Sequence, residues 1–382
     1  MKRKVIYVSF TRLTDKVSDD WHIDFLVSRG VTVEYWDVVS VVREEHSERG
    51  SMNPDYLRVF RSIAEIEREL CIPANQGAFY VMLIPYSAQY ARLFRLFSKF
   101  DCRMLTFASG ALPRDPVYKW RKFSAWLGNP HSLVRELANR SKAAALRKLQ
   151  LVKPFAIAFV AGDTLMASNL NASRVVPINF FDYDRYVKAR NDSGTRVVAA
   201  RYALFLDSNL PYHTDLAICG LRRIDPVSYF RSLNRFFDLL ERKTGIAVVI
   251  AVHPRADYDS KIFGGRQIYR FRTAELARDA EFVLSHTSTA MSYAVLNCKP
   301  LAFIYTDGMA DAYEDNFIRE MRCFADYLDA PIYNVDVDDT ANSFALKNVN
   351  LESYKRYKYG FLTSNQSENT STQEIFWREI NA

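Results

Sequence analysis

The sequence predicts an α/β protein with two doubly wound parallel sheets. Short apolar runs end in polar or glycine-rich turns and alternate with helical patterns, which is typical of buried parallel strands joined by helices. A chain of 382 residues is long for one compact core, so its length indicates two domains. We expect a first domain over 1–190, a second over 191–360, and a tail over 361–382 whose helix packs back on the first domain.

The first half of the chain alternates strand and helix patterns from its start. Asn53–Glu69 is predicted as one helix because Tyr56, Phe60 and Ile63 recur at helical spacing. Two helices are expected within Pro116–Leu151. The other predicted helices are Asp20–Arg29 and Gln89–Phe97, and the predicted strands are Val5–Phe10, Val31–Trp36, Ala78–Ile84, Arg103–Phe107, Phe155–Val160 and Arg174–Ile178.

A second strand–helix series follows a polar segment, Lys188–Thr195, which is predicted as the linker. Its predicted strands are Tyr202–Leu206, Ala247–Val252, Gln267–Tyr269, Phe282–Leu284 and Leu301–Ile304. Its predicted helices are Pro226–Thr244, Thr273–Arg278, Ser288–Asn297 and Asp315–Leu328, and the amphipathic stretch Ile375–Ile380 is expected to form the terminal helix.

Composition excludes several classes of protein. With 49% hydrophobic and 25% charged residues, the chain is expected to fold as an ordinary globular protein. Its five cysteines have no metal-ligand spacing and are expected to be reduced thiols. The apolar run in the opening MKRKVIYVSF is too short for a signal sequence. No run in the chain approaches the roughly 18 apolar residues of a membrane-spanning helix. We expect a cytoplasmic location.

Positive charge is concentrated between residues 111 and 153, where ten basic residues meet only two acidic ones. This segment could be a solvated helix pair with an aromatic core face. Alternatively, Lys119, Trp120, Arg121 and Lys122 form a surface for a lipid-linked acceptor or for anionic headgroups at the inner face of the cytoplasmic membrane. A nucleic-acid partner is not expected, because no nucleic-acid motif accompanies the charge.

Two polar clusters follow predicted strands of the second half, at neighbouring strand ends. His253, Pro254 and Arg255 follow one strand, and the imidazole and guanidinium suit a phosphate. The second cluster has four hydroxyl residues in five positions before a small-residue helix, which exceeds the need of a helix cap: Ser285, His286, Thr287, Ser288 and Thr289. In parallel sheets ligands bind beyond the carboxyl ends of the strands. Together the clusters predict one nucleotide or phosphate site.

These residues resemble the C-terminal domain of GT-B glycosyltransferases, in which two Rossmann-like domains face a central cleft. The pattern over residues 200–305 is most similar to bacterial enzymes that use CMP-activated nonulosonic acids, of the sialyl, Kdo or pseudaminyl type. The resemblance implies that His253 and Pro254 bind the nucleotide and that Thr287, Ser288 and Thr289 bind the phosphate of a nucleotide-sugar donor. Arg255 and His286, which lie within the two polar clusters, are also expected to contact the donor.

Other signatures are missing. The E-x7-E pattern of many nucleotide-diphosphosugar transferases does not occur around residues 281–300, and there is no GxGxxG or Walker A loop. Asp182, Tyr183 and Asp184 have the form of a metal-binding D-x-D, but the resemblance implies that no metal and no further cofactor is required.

Carboxylates are the candidates for the remaining roles. Asp207 follows the first strand of the second domain and is expected at the donor or acceptor site. The resemblance implies an acidic base in the first domain for the acceptor hydroxyl, and no motif identifies it. Asp163 is our candidate, and Asp15, Asp19 and Asp20 are the alternatives.

The predicted function is transfer of a nonulosonic acid from its CMP-activated form to a glycan or lipid-linked glycan in bacterial surface polysaccharide biosynthesis. One alternative is a polyol-phosphate transferase that uses a donor of the CDP-glycerol type. The other is a GT-B-like module that binds without catalysis.

Overall fold

Two parallel sheets organise the chain. The computed structural model describes residues 3–42, 52–113, 130–168, 170–192, 194, 196–212, 222–313 and 316–382. The described residues fall into two units, each with its own sheet. The first unit takes those within 3–109, 130–179 and 364–382, and the second takes those within 110–113 and 180–363. The prediction of two doubly wound sheets is confirmed.

The first unit has seven parallel strands in the order β3-β2-β1-β4-β5-β6-β7. The strands are β1 (Lys4–Ser9), β2 (Thr32–Asp37), β3 (Leu57–Val59), β4 (Phe79–Met82), β5 (Arg103–Ala108), β6 (Ile157–Ala161) and β7 (Val175–Ile178). Its helices are Asp15–Asp20, Ile23–Ser28, Val39–Val42, Ile63–Leu70, Ala91–Lys99, Pro130–Lys148, Asp163–Met166 and Thr372–Asn381. The strand order reverses between β1 and β4, as in dinucleotide-binding folds.

The predicted helix Asn53–Glu69 is wrong in its first half. Leu57–Val59 pairs with β2 as the edge strand β3, because its main chain hydrogen-bonds along that strand. The helix begins only at Ile63, where the Ser62 hydroxyl accepts the Glu65 N–H at 3.3 Å and caps the first turn. The apolar spacing of this stretch therefore spans two elements, the strand β3 and the helix Ile63–Leu70.

The terminal helix Thr372–Asn381 belongs to the first unit, which confirms the predicted packing. Phe376 is fully buried, and its ring meets those of Phe107 and Phe159 edge-on, with centroids 5.3 and 5.2 Å away. At the surface Arg29 pairs with Glu374 at 2.7 Å. A segment that follows the second unit in sequence thus completes the core of the first.

The second unit has six parallel strands in the order β10-β9-β8-β11-β12-β13. They are β8 (Tyr202–Leu206), β9 (Ala247–Ala251), β10 (Ile268–Tyr269), β11 (Phe282–Ser285), β12 (Leu301–Tyr305) and β13 (Ile332–Asn334). The helices are Phe181–Asn191, Pro226–Thr244, Thr273–Asp279, Ser292–Leu296, Asp307–Ala312, Asn316–Leu328, Thr340–Ser343 and Leu351–Tyr357. In this sheet the strand order reverses between β8 and β11.

The division between the units differs from the predicted boundary at residue 190. The second unit already begins at Phe180, and the helix Phe181–Asn191 covers part of the segment predicted as a linker. This helix packs against Thr273–Asp279 and Ser292–Leu296. Buried Asp182 accepts a hydrogen bond from the Tyr293 hydroxyl at 3.0 Å, which ties the helix to the second unit.

The helix Pro226–Thr244 ends at Gly245, whose φ of +67° lies in the left-handed region. We expect Gly245→Ala to lower the free energy of unfolding by about 1 kcal/mol, because an alanine Cβ is strained at this φ. An added Cβ would meet no atom within 4 Å, so the cost is conformational alone. Urea unfolding measures it, with Gly245→Asn as the control, since asparagine tolerates this conformation better. An unchanged midpoint in Gly245→Ala would contradict the assignment.

Candidate functional site

Three loops leave the second sheet side by side at the carboxyl ends of β9, β8 and β11. The register aligns Leu206 of β8 with Ala251 of β9 on one side and with Ser285 of β11 on the other. The sequence predicts that the two clusters follow neighbouring strands. This prediction is wrong, because β8 runs between β9 and β11. Two strand spacings separate β9 from β11 by about 10 Å, a distance that a nucleotide can span.

His253 lies in a tight turn just after β9. Its carbonyl oxygen accepts the Ala256 N–H at 2.8 Å, and its Nδ1 accepts the Arg255 N–H at 3.2 Å. A neutral imidazole whose Nδ1 accepts carries its hydrogen on Nε2. The ring is half-buried, while Pro254 and Arg255 are exposed. The turn thus gives His253 a defined Nε2–H donor next to an exposed guanidinium.

Asp207 follows β8 directly and is buried. Its Oδ2 accepts the His253 N–H at 3.2 Å and the Tyr258 hydroxyl, and its Oδ1 accepts the Asn209 N–H at 3.0 Å. Burial raises the pKa of this carboxyl, and the hydrogen bond from Tyr258 opposes the rise. These bonds favour a positioning role, in which Asp207 fixes the His253 turn, over the direct ligand contact predicted from the sequence.

His286 follows β11 and is fully buried. Its Nε2 lies 2.8 Å from the Tyr229 hydroxyl, and its Nδ1 lies 2.6 Å from the Ile304 carbonyl oxygen. Burial lowers the pKa of His286 to about 4, so the ring is neutral at pH 7. Nδ1–H then donates to Ile304 and Nε2 accepts from Tyr229. With both nitrogens bonded inside the protein, the geometry favours positioning of the following turn over the predicted donor contact.

The hydroxyl turn itself stays accessible. Thr287 and Ser288 are half-buried, and Thr289 is exposed. The Ser288 hydroxyl accepts the Ala290 N–H at 3.3 Å, and its carbonyl accepts the Met291 N–H at 3.1 Å. A 3₁₀ turn begins here and continues as the helix Ser292–Leu296. Hydroxyls and main-chain N–H groups at such a start suit an anion.

Tyr229 and Tyr258 are site residues that the sequence did not reveal. Each positions a group more than fifty residues away along the chain, His286 for Tyr229 and Asp207 for Tyr258. No spacing or motif predicts contacts at that separation. Only the fold shows that the Tyr229 and Tyr258 hydroxyls hydrogen-bond to residues of the loops after β11 and β8.

The candidate bases lie in the first unit. Asp163 is exposed, follows Gly162 after β6, and begins the helix Asp163–Met166. Asp15 and Asp19 are exposed on the helix after β1, whereas Asp20 is buried and pairs with Lys16 at 2.5 Å. The base role stays a prediction for each of them.

No group of three or more histidine, cysteine, aspartate or glutamate side chains within the described ranges could hold a metal ion. Asp182 of the D-x-D instead accepts from Tyr293 and lies 3.9 Å from Arg185.

The predicted acceptor or membrane surface, Lys119, Trp120, Arg121 and Lys122, lies outside the described residues. On the helix Pro130–Lys148 of the same basic segment, the described side chains include the exposed Val134, at 64%, and Leu137, at 49%. In the part of the chain that the structure describes, no helix has the length and apolarity needed to cross a bilayer.

Comparison with known proteins identifies the fold. No family model matches this sequence, and no curated protein matches it. A variant of the wall teichoic acid polymerase TagF aligns with 100% of this chain and 89% of its own at 11% identity, with a TM-score of 0.52. TagF itself aligns with 99% of this chain and 89% of its own at 11% identity, with a TM-score of 0.50. The chain has the GT-B fold, with one Rossmann-like sheet in each unit.

Proposed function

We propose that this chain is a glycosyltransferase that transfers a nonulosonic acid from its CMP-activated donor to a glycan acceptor of a bacterial surface polysaccharide. One observation carries the proposal. A histidine with a defined Nε2–H donor and a hydroxyl turn follow β9 and β11, at the same edge of a sheet of dinucleotide-binding order. The resemblance of His253-Pro254 and Thr287–Thr289 to the donor motifs of CMP-sugar transferases supports the donor class.

The chemistry follows from these groups. The bond between the anomeric carbon and the CMP phosphate oxygen breaks, and the acceptor oxygen forms the new bond to that carbon. Negative charge then develops on the departing phosphate, where the His253 Nε2–H, the turn at Ser288 and the Arg255 guanidinium stabilise it. A carboxylate takes the acceptor proton, and Asp163 is our candidate. In this proposal the reaction needs no metal. The proposal also includes peripheral contact of the basic segment, residues 111–153, with an anionic membrane.

A second candidate is transfer of a polyol phosphate from a donor of the CDP-glycerol type. It is favoured by the fold shared with a wall teichoic acid polymerase. The same phosphate-binding groups would serve it. The third is a non-catalytic GT-B-like module that binds a glycan or recruits a partner, which nucleotide binding without turnover would favour.

Calorimetric titration with CMP, CDP, UDP and GDP tests the donor class. We expect selective binding of cytidine nucleotides and weaker binding in His253→Ala. Absence of cytidine-nucleotide binding, or unchanged affinity in His253→Ala, would remove the donor assignment. Mass spectrometry of products then separates the candidates, because a transferred nonulosonic acid and a transferred glycerol phosphate differ in mass.

A further inference from the structure

The loop after β8 occupies the point where the order of the second sheet reverses. In doubly wound sheets, this is where ligands bind. The loop lies between the His253 turn and the Thr287–Thr289 turn, because β8 runs between β9 and β11. It carries Ser208 and Asn209, two polar residues without an assigned role in donor binding.

Both residues hold a side-chain oxygen that the protein leaves unpaired. Ser208 and Asn209 are 9% and 7% exposed, and within the described residues Ser208 Oγ and Asn209 Oδ1 have no hydrogen-bond partner. Buried polar atoms are nearly always paired in native proteins. Two unpaired oxygens on adjacent residues, at the ligand-binding end of the sheet, indicate that a partner comes from outside the chain.

The surrounding contacts hold this loop in place. Asp207 accepts the Asn209 N–H at 3.0 Å, and the Asn209 carbonyl accepts the Tyr212 N–H at 3.1 Å. The ring of Tyr212 is 51% exposed and lies 6.3 Å from the ring of Tyr258 between centroids. The loop therefore combines fixed polar atoms with an exposed aromatic ring.

We propose that Ser208 and Asn209 form a subsite for a hydroxyl group of the donor. This rests on the function proposed above. An amide oxygen can only accept, so Asn209 Oδ1 disfavours a phosphate oxygen and requires an O–H or N–H donor. The Ser208 hydroxyl both donates and accepts, which suits a hydroxyl of the ligand. The hydroxyl belongs either to the ribose or to the transferred sugar, while phosphate goes to the flanking turns.

The test uses thermal unfolding and calorimetry on the full chain. The probes are CMP, 2′-deoxy-CMP, 3′-deoxy-CMP and CMP-N-acetylneuraminic acid. In Ser208→Ala and Asn209→Gly we expect the Kd to rise about three- to tenfold, the size of one lost hydrogen bond. Glycine retains the positive φ of +52° at position 209. The Tm of ligand-free Ser208→Ala should equal or exceed that of the wild type, because an unpaired polar atom is removed.

Ser98→Ala is the matched control. Ser98 is also a buried serine, but its hydroxyl donates to the Phe94 carbonyl at 2.8 Å and accepts the Lys153 N–H at 2.9 Å. Its loss should lower the Tm and leave every Kd unchanged. The contrast separates an oxygen that the ligand uses from one that the fold uses.

The outcomes are distinct. A variant effect that disappears with either deoxy nucleotide assigns the subsite to the ribose, and an effect confined to CMP-N-acetylneuraminic acid assigns it to the sugar. A lowered Tm of ligand-free Ser208→Ala, or unchanged Kd values for all probes, overturns the subsite while wild-type binding stands. If the wild type binds none of the probes, the proposed function and the subsite fall together.

Discussion

Replacing His253 by alanine is expected to lower turnover about 10²–10³-fold, the usual effect of removing one donor that stabilises developing negative charge. The reason is that Nδ1 accepts the Arg255 N–H, so the hydrogen of the neutral ring is on Nε2, the atom that donates to the departing phosphate in the proposed reaction. Steady-state release of CMP from the donor measures the effect. His253→Gln should recover part of the rate, because its amide nitrogen keeps an N–H donor at the end of the side chain.

Circular dichroism and the Tm should be nearly unchanged in both His253 variants, since the ring is only half-buried. A wild-type rate in a folded His253→Ala would show that the imidazole takes no part in leaving-group stabilisation. The hydrogen bonds that Asp207 accepts from His253, Tyr258 and Asn209 would then stabilise the fold and have no part in turnover.

Acid should destabilise the protein through His286, by about 3 kcal/mol in total. Burial lowers its folded pKa to about 4, against about 6.5 in the unfolded chain. Between these values the unfolded chain binds a proton that the folded chain does not. The free energy of unfolding therefore falls as the pH drops from about 6.5 towards 4, and the contribution is constant above that window.

Urea unfolding of the wild type and His286→Asn at pH 7.5 and pH 4.5 isolates this contribution. The asparagine amide can still donate to Ile304 but does not titrate. Burial raises the pKa of Asp37 and Asp207, which makes their contribution grow as the pH falls, but both proteins share it. The wild type should lose more stability than the variant. Equal losses would mean that His286 is not held neutral.

Much of the secondary structure could be predicted from local signals. The strand Tyr202–Leu206 and the helix Pro226–Thr244 have the predicted bounds. For the helix, Asp225 supplies the cap, Pro226 suits the first turn, and Gly245 ends it. These are effects of neighbouring residues, so the sequence displays them directly.

The strand order and the partners of buried groups could not be predicted. Chain order suggested that the His253 and Thr287–Thr289 clusters adjoin, whereas β8 separates them. The hydroxyl-rich cluster predicts one ligand surface, but His286 within it forms its hydrogen bonds with Tyr229 and Ile304. Pairing between distant segments of the chain decides both the strand order and the partners of His286. The periodicity of a single sequence does not show which distant segments pair.

The terminal helix bears on how the protein is made. Phe376 completes a core with Phe107 and Phe159, yet ribosomes add it only after the whole of 180–363. During synthesis the later unit therefore has all its strands before the earlier unit can seal its own core. Domains generally fold from the amino terminus onward during synthesis, but in this chain the rings of Phe107 and Phe159 lack their Phe376 contact until the last residues have been added.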